Sequence, residues 1–292
     1  MKKYKMLAKI KNKILRLYIG FKKETLVEKN NREEFLNSIK NIQKLDRPDY
    51  GGWNSYIKRL HVYISKNDPR SFLRWKPITE SMFSSASKCE FDYLITSINN
   101  DKLLKAIEET WVGNPPKYKH YKKSSSNFVH TAYNLSQLID LFKIDVKTLN
   151  SIVEFGAGYG CMAKLINNLG FVGKYTIFDI PEFLALQKYY LHSSKIMSNF
   201  KFIDKIDKLE AVNPDILIST WSLSESPISL RDKFLKKIGK PKYILIAYQE
   251  NFNSIDNKKY FETLKGLMSE YEWTNKTISH VPGNYYLLGK KI

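Results

Sequence analysis

From position 154 the chain reads Glu154-Phe155-Gly156-Ala157-Gly158-Tyr159-Gly160, and nineteen residues after Gly160 stands Asp179. Glycines at 156, 158 and 160 let a chain turn sharply and bring backbone against a ligand with no β-carbon in the way. The segment before them, "LNSIVEF", is strand-like, and "CMAKLINNLG" after them is helical. A turn between strand and helix is where a nucleoside or a phosphate is held. The dinucleotide spacing G-x-G-x-x-G fails, because Cys161 stands where its third glycine belongs. Asp179 closes the following strand, where a carboxylate accepts hydrogen bonds from both ribose hydroxyls of an adenosine and repels a 2′-phosphate. A structural glycine turn with a helix-capping Asp is the competing reading. The agreement of strand, loop, helix, strand and acid stands against it.

These residues need a scaffold, and the second half of the chain supplies one. After "LNSIVEF" come the strands "KYTIFDI", "NFKFI", "PDILISTW" and "KYILIAY", separated by helical segments. "PEFLALQKYYLHS" starts a helix with Pro181 in its first turn. Apolar strands alternating with helices imply a mostly parallel sheet covered on both faces. The last two strands, "YEWTNKTI" and "NYYLLGKKI", have no helix between them and are expected to pair antiparallel at an edge. The fold class read from this order is α/β, a doubly wound, mostly parallel, seven-stranded Rossmann-like sheet with a helical N-terminal extension. The expected organisation is a basic amphipathic segment at 1–23, a helical region at 24–126 and a cofactor-binding domain at 127–292. The element order, the loop and Asp179 together point to S-adenosyl-L-methionine as the cofactor and to a class I methyltransferase.

The same residues resemble a known family, the bacterial sugar O-methyltransferases associated with surface-polysaccharide gene clusters. The likeness lies in "VEFGAGYGCMAKLI", "YTIFDIPEFLALQKYYL", "DILISTWSLSES" and "SHVPGNYYLLG" and covers roughly residues 120–292. It implies methylation of a sugar hydroxyl of a capsule or lipopolysaccharide precursor in the cytoplasm. It names neither the sugar nor its nucleotide, lipid or polymer carrier.

Methyl transfer to an alcohol needs alignment and removal of a poorly acidic proton. His280, in "SHVPGN", is the first candidate base, since imidazole titrates near neutral pH. Glu225, in the loop after the fourth strand, is the second. His130 and Tyr133, about one helical turn apart, are candidates for substrate contact, as are Trp221, Gln249 and Asn284. Glu154, Gly156, Ala157, Gly158, Gly160, Asp179 and Ile180 form the expected cofactor site. Phe202 is the expected adenine wall, though a core role competes, and Ser219 lies beside the expected donor position. No His and carboxylate cluster has metal-ligand spacing, so no metal is expected.

The chain has 292 residues and a net charge of +19, with 43% hydrophobic and 14% aromatic residues, which excludes general disorder. Two cysteines, Cys89 and Cys161, make no disulfide framework. No apolar run approaches the roughly 18 residues of a membrane span, and no secretory leader is read. Residues 1–23 hold nine basic residues and no acid, with Leu7, Ile10, Ile14, Leu17 and Phe21 at helical spacing. Such a helix either docks on an anionic membrane surface, at the inner face, or packs as a solvated helix. The cluster Lys117–Lys123 either meets an anionic substrate or is a solvated loop. Strong basicity raises an RNA methyltransferase as the alternative, but no RNA-binding module or base-methylating motif accompanies it, so nucleic acid is not expected. A silent scaffold with the same fold is the second alternative, and a homo-oligomer is left open.

Overall fold

Alternation along the strands divides the apolar side chains between two cores. Ile152, Ile216, Ile218, Leu245 and Ala247 face one side, while Val153, Leu217, Ile244 and Ile246 face the other. A side-chain period of two, apolar on both phases, is what a parallel sheet buried on both faces requires. The computed structural model describes residues 24–45, 50, 52–83, 86–97, 100–196, 199–210 and 213–292; the basic segment 1–23 lies outside them.

The strands are β1 (Ser151–Phe155), β2 (Lys174–Phe178), β3 (Asn199–Ile203), β4 (Ile216–Thr220), β5 (Tyr243–Gln249), β6 (Asn251–Phe252), β7 (Ile255–Asp256), β8 (Tyr271–Thr277) and β9 (Asn284–Lys291). Seven of them form one sheet in the order β3-β2-β1-β4-β5-β9-β8, in which only the β5–β9 and β9–β8 pairings are antiparallel. The expected antiparallel pair is present, with β9 inserted between β5 and the edge strand β8. The small β6–β7 hairpin has no counterpart in the sequence reading.

The helices are α1 (Leu26–Ile42), α2 (Trp53–Lys66), α3 (Lys76–Ser81), α4 (Lys88–Thr96), α5 (Asn100–Ala106), α6 (Ser126–Phe142), α7 (Cys161–Asn168), α8 (Pro181–Ser193), α9 (Ile228–Ile238) and α10 (Asn257–Leu267). Helices α9 and α10 cover one sheet face with Phe234, Ile238 and Phe261. Helices α7 and α8 cover the other, and the N-terminal helices join that same core. Phe72, in a 3-10 turn at Pro69–Arg74, sets its ring edge-on against Tyr159 and Tyr190 at 5.9 and 5.7 Å. Phe35 of α1 stacks on Tyr189 of α8 at 5.1 Å. Burying each such ring contributes about 1.5–3 kcal/mol, so residues 24–126 are held to the sheet by a shared apolar interior.

Helix α4 begins at a capping box, in which Ser87 Oγ accepts from Glu90 N–H and Glu90 Oε2 accepts from Ser87 N–H at 3.1 Å. Helix α6 begins at Ser125, whose hydroxyl accepts from Phe128 N–H, and ends at Lys143 in the left-handed region. Among the described residues, no helix is long and apolar enough to cross a membrane. The Lys117–Lys123 segment is partly structural: Tyr118 OH donates to Ser87 O, and Lys123 pairs with Glu108 at 2.7 Å.

Candidate functional site

The sheet reverses its winding between β1 and β4, and a cavity of about 1100 Å³ opens at the carboxyl ends of β1, β2 and β4. Ligands of doubly wound sheets bind at this switch point. The glycine loop forms its floor. Gly156, Gly158 and Gly160 have φ of +71°, +58° and +94°, the left-handed region that side chains other than glycine rarely enter. At Gly156 a β-carbon would also fall 2.2 Å from Ser222 Cβ, so this position is closed to any side chain.

Asp179 faces the cavity from the end of β2 and is tied to the loop. Its Oδ1 accepts from Ile180 N–H at 2.7 Å and its Oδ2 from Gln187 Nε2 at 2.6 Å, while the Ala157 and Gly158 amides also bond it. The same Gln187 amide donates to Gly158 O at 3.0 Å, so one side chain of α8 locks acid and loop together. Burial pushes the Asp179 carboxyl up to about 7, against these hydrogen bonds. Glu154, buried at the end of β1, accepts from Tyr175 OH at 2.7 Å, and burial pushes it up to about 8, with Asp179 adding repulsion. Ionised carboxylates in such a place gain most from a cationic ligand.

A second wall of the cavity is made of side chains. His130, Thr131, Asn127 and Asn134 share one face of α6 and line it, as do Trp53, Met82 and Phe83 of the N-terminal region. Asn127 Nδ2 donates to Tyr159 OH at 2.9 Å and Phe83 stacks on the Tyr159 ring at 5.8 Å, so this wall reaches the glycine loop. The His130 ring stacks on Trp221 at 5.3 Å, and Trp221 holds its own place by donating Nε1–H to Asn284 Oδ1 at 2.6 Å. Trp221 sits at φ +67°, a strained conformation for a bulky residue, and such strain concentrates at functional sites. Glu90 of α4 is buried and its Oε1 meets two imidazoles, His130 Nδ1 at 2.8 Å and His280 Nε2 at 2.5 Å. Burial works to raise the Glu90 carboxyl; the two histidines outweigh it and hold it below the usual carboxylate range. Glu225 lines the cavity too, and burial pushes its carboxyl up to about 7, partly offset by a hydrogen bond from Gln249.

Of the residues singled out in the sequence, Glu154, Gly156, Ala157, Gly158, Asp179, Ile180, His130, Trp221 and Glu225 all line the one cavity. The others stand behind its wall. Gly160 caps α7. Ser219 is fully buried and accepts from Leu223 N–H at 2.9 Å. Gln249 Oε1 accepts from Ser224 Oγ, and Asn284 braces Trp221. Phe202 packs under Lys188, 5.2 Å from its ammonium, and Asp204 to Asp207 line the cavity where Phe202 was expected. His280 and Tyr133 pack edge to face at 5.5 Å, with Val281 rather than His280 at the cavity surface. Glu90, Gln187, Asn127 and Asn134 were not singled out. Only Glu90 left a trace, as the last residue of a Ser-x-x-Glu capping box. No group of three or more metal-ligating side chains occurs among the described residues.

A seven-stranded order with the reversed β9 beside β5 separates this sheet from plain dinucleotide-binding folds. The chain has the Rossmann-like fold of class I methyltransferases. No protein-family model matches it, and no curated protein does. Among solved structures it is similar to an O-methyltransferase family protein from Burkholderia thailandensis, with a TM-score of 0.39 and 15% identity. That alignment covers 57% of this chain and 62% of the other, so less than two thirds of that protein is spanned. A SAM dependent methyltransferase from Aquifex aeolicus gives a TM-score of 0.41 and 14% identity over 52% of this chain and 88% of that one. A Precorrin-6y C5,15-methyltransferase from Geobacter metallireducens GS-15 gives 0.41 and 17% over 64% and 97%.

Proposed function

We propose that the protein binds S-adenosyl-L-methionine on the glycine loop and transfers its methyl group to a hydroxyl, most specifically a sugar hydroxyl of a surface-polysaccharide precursor. The observation that carries the reading is the joined unit of Gly156, Gly158, Asp179 and Gln187 at the switch point of the sheet. Asp179 is placed to take ribose hydroxyls, and the buried Glu154 and Asp179 carboxylates suit a ligand bearing an ammonium and a sulfonium. The cofactor supplies a methyl group already activated on sulfonium sulfur. The chain's own residues bind and orient the acceptor and remove a proton.

The acceptor end favours a neutral polyol. Of the lining carboxyls, Glu80 is paired with Arg59 and Asp204 with Lys208, while burial raises Glu154, Asp179 and Glu225 to about 8, about 7 and about 7. Trp221 offers an aromatic surface suited to a sugar ring, while Asn127 and Asn134 are engaged with Tyr159 and Tyr286. Residues 1–23 would keep the enzyme at an anionic membrane face, where lipid-linked acceptors lie. The test is release of S-adenosylhomocysteine with a panel of UDP-, GDP- and dTDP-hexoses, followed by mass spectrometry. A product heavier by one methyl group on the sugar supports the reading, and turnover on an RNA pool alone would replace it with the RNA alternative.

A further inference from the structure

We propose that His130, held by Glu90, is the base that takes the acceptor proton, and that His280 serves only to hold Glu90. The inference rests on the hydroxyl-methylation reading and goes beyond it. His130 is 4% exposed, yet its ring borders the cavity and its Nε2 has no hydrogen-bond partner in the structure. A buried polar atom left unpaired costs free energy unless something supplies its partner, and His130 is one of the residues lining the cavity.

Glu90 decides which nitrogen is free. Its carboxylate is ionised, so it can only accept. The His130 Nδ1 at 2.8 Å must therefore carry the proton, which leaves Nε2 with its lone pair and no partner in the structure. The carboxylate is itself fixed: Oε2 takes the capping-box amide of Ser87, and Oε1 takes both imidazoles. Trp221 stacks on the His130 ring and sets its plane. The tyrosines that feel the Glu90 charge are Tyr118, Tyr133 and Tyr286, whose hydroxyls burial raises, and Asp92, on Glu90's own helix, also acts on Tyr118 and is itself paired with Lys88. In the reaction the acceptor O–H proton passes to His130 Nε2. The oxygen lone pair forms the new C–O bond as the C–S bond breaks, and its electron pair leaves with sulfur. The resulting imidazolium lies against the Glu90 carboxylate, which stabilises it. Glu90 is a positioning residue, and His280 shares its oxygen from the side away from the cavity.

Nitrogen NMR of the full-length, histidine-labelled chain saturated with S-adenosylhomocysteine tests this without an acceptor. Above neutral pH, His130 is expected to show a protonated Nδ1 and a bare Nε2, and Glu90→Gln to release that preference. A protonated Nε2 in the native chain overturns the proposal. On any hexose of the panel that turns over, His130→Gln is expected to lower kcat by about 10²–10⁴-fold and Glu90→Gln by a comparable factor. KM for the donor and donor affinity should change little, and thermal melts identify any variant that fails to fold. His280→Gln should lose far less, and a dead His280 variant beside an active His130 variant overturns the assignment. Loss of donor binding in the native chain would instead refute the cofactor reading, which separates the two failures.

Discussion

The two ends of the cavity are built from different material. At the loop end the surface is shaped by the left-handed backbone of Gly156 and Gly158 and pinned by Asp179 and Gln187. At the acceptor end it is side chain, collected from α6, from the loop after β4 and from the N-terminal helices, with its key contact joining residues forty positions apart, Glu90 and His130. A site made of backbone demands particular residues at particular spacings. One made of side chains demands only that distant positions meet. The first should fail abruptly when a single residue changes, and the second should degrade in steps.

The largest effect should follow Gly156→Ala. Both the φ of +71° and the 2.2 Å approach to Ser222 Cβ oppose a methyl group there. The expected loss is about 2–4 kcal/mol of stability together with donor binding, read by melting and calorimetry. If the variant keeps native melting and affinity, the donor end is not the rigid backbone cradle described.

pH gives the second contrast. Glu154 and Asp179 are raised to about 8 and about 7, so the folded chain binds more protons than the unfolded one from about pH 4 upward. Their contribution to stability is therefore present at low pH and is lost as pH rises through those values. A cationic donor prefers the ionised carboxylates, so its binding near pH 7 should release protons. Calorimetry in two buffers of different ionisation enthalpy measures that release, and Asp179→Asn should diminish it. Absence of proton exchange would mean that the carboxylates do not face the donor.

A smaller effect is expected for Trp221→Phe. It removes the hydrogen bond to Asn284 and part of the surface against His130, costing about 0.5–1.5 kcal/mol. It should raise KM for the acceptor and leave donor affinity unchanged; the reverse pattern would assign Trp221 to the donor end. Removing residues 1–23 should change neither constant and should abolish sedimentation with phosphatidylserine vesicles, since a polybasic segment gains its affinity from anionic headgroups.

The contrast also explains what the sequence made legible. The mostly parallel sheet with its antiparallel last pair, and the glycine turn followed by Asp179, could be read because alternation, glycine spacing and an acid at a strand end are local signals. Phe202 was misplaced relative to the cavity by a few residues, because a strand's last apolar side chain serves core and ligand equally well in pattern. His280 attracted the choice of base through its neighbours "SHVPGN", while its ring points to Glu90 and Tyr133 in the structure. Glu90 was invisible as a partner, because nothing in "SKCEF" states that α4 will lie beside α6. The N-terminal helices carry no motif for the same reason: their contribution is apolar packing and a few side chains whose meeting is set by the tertiary fold.

The most direct test of the central claim is calorimetric titration of S-adenosyl-L-methionine into the full-length chain and into Asp179→Ala. The account predicts one site per chain in the native protein. In the folded variant, binding should weaken by about 1–3 kcal/mol, as charge-assisted hydrogen bonds to ribose and loop are lost. Equal affinity in the two proteins, or no binding by the folded native chain, would contradict it.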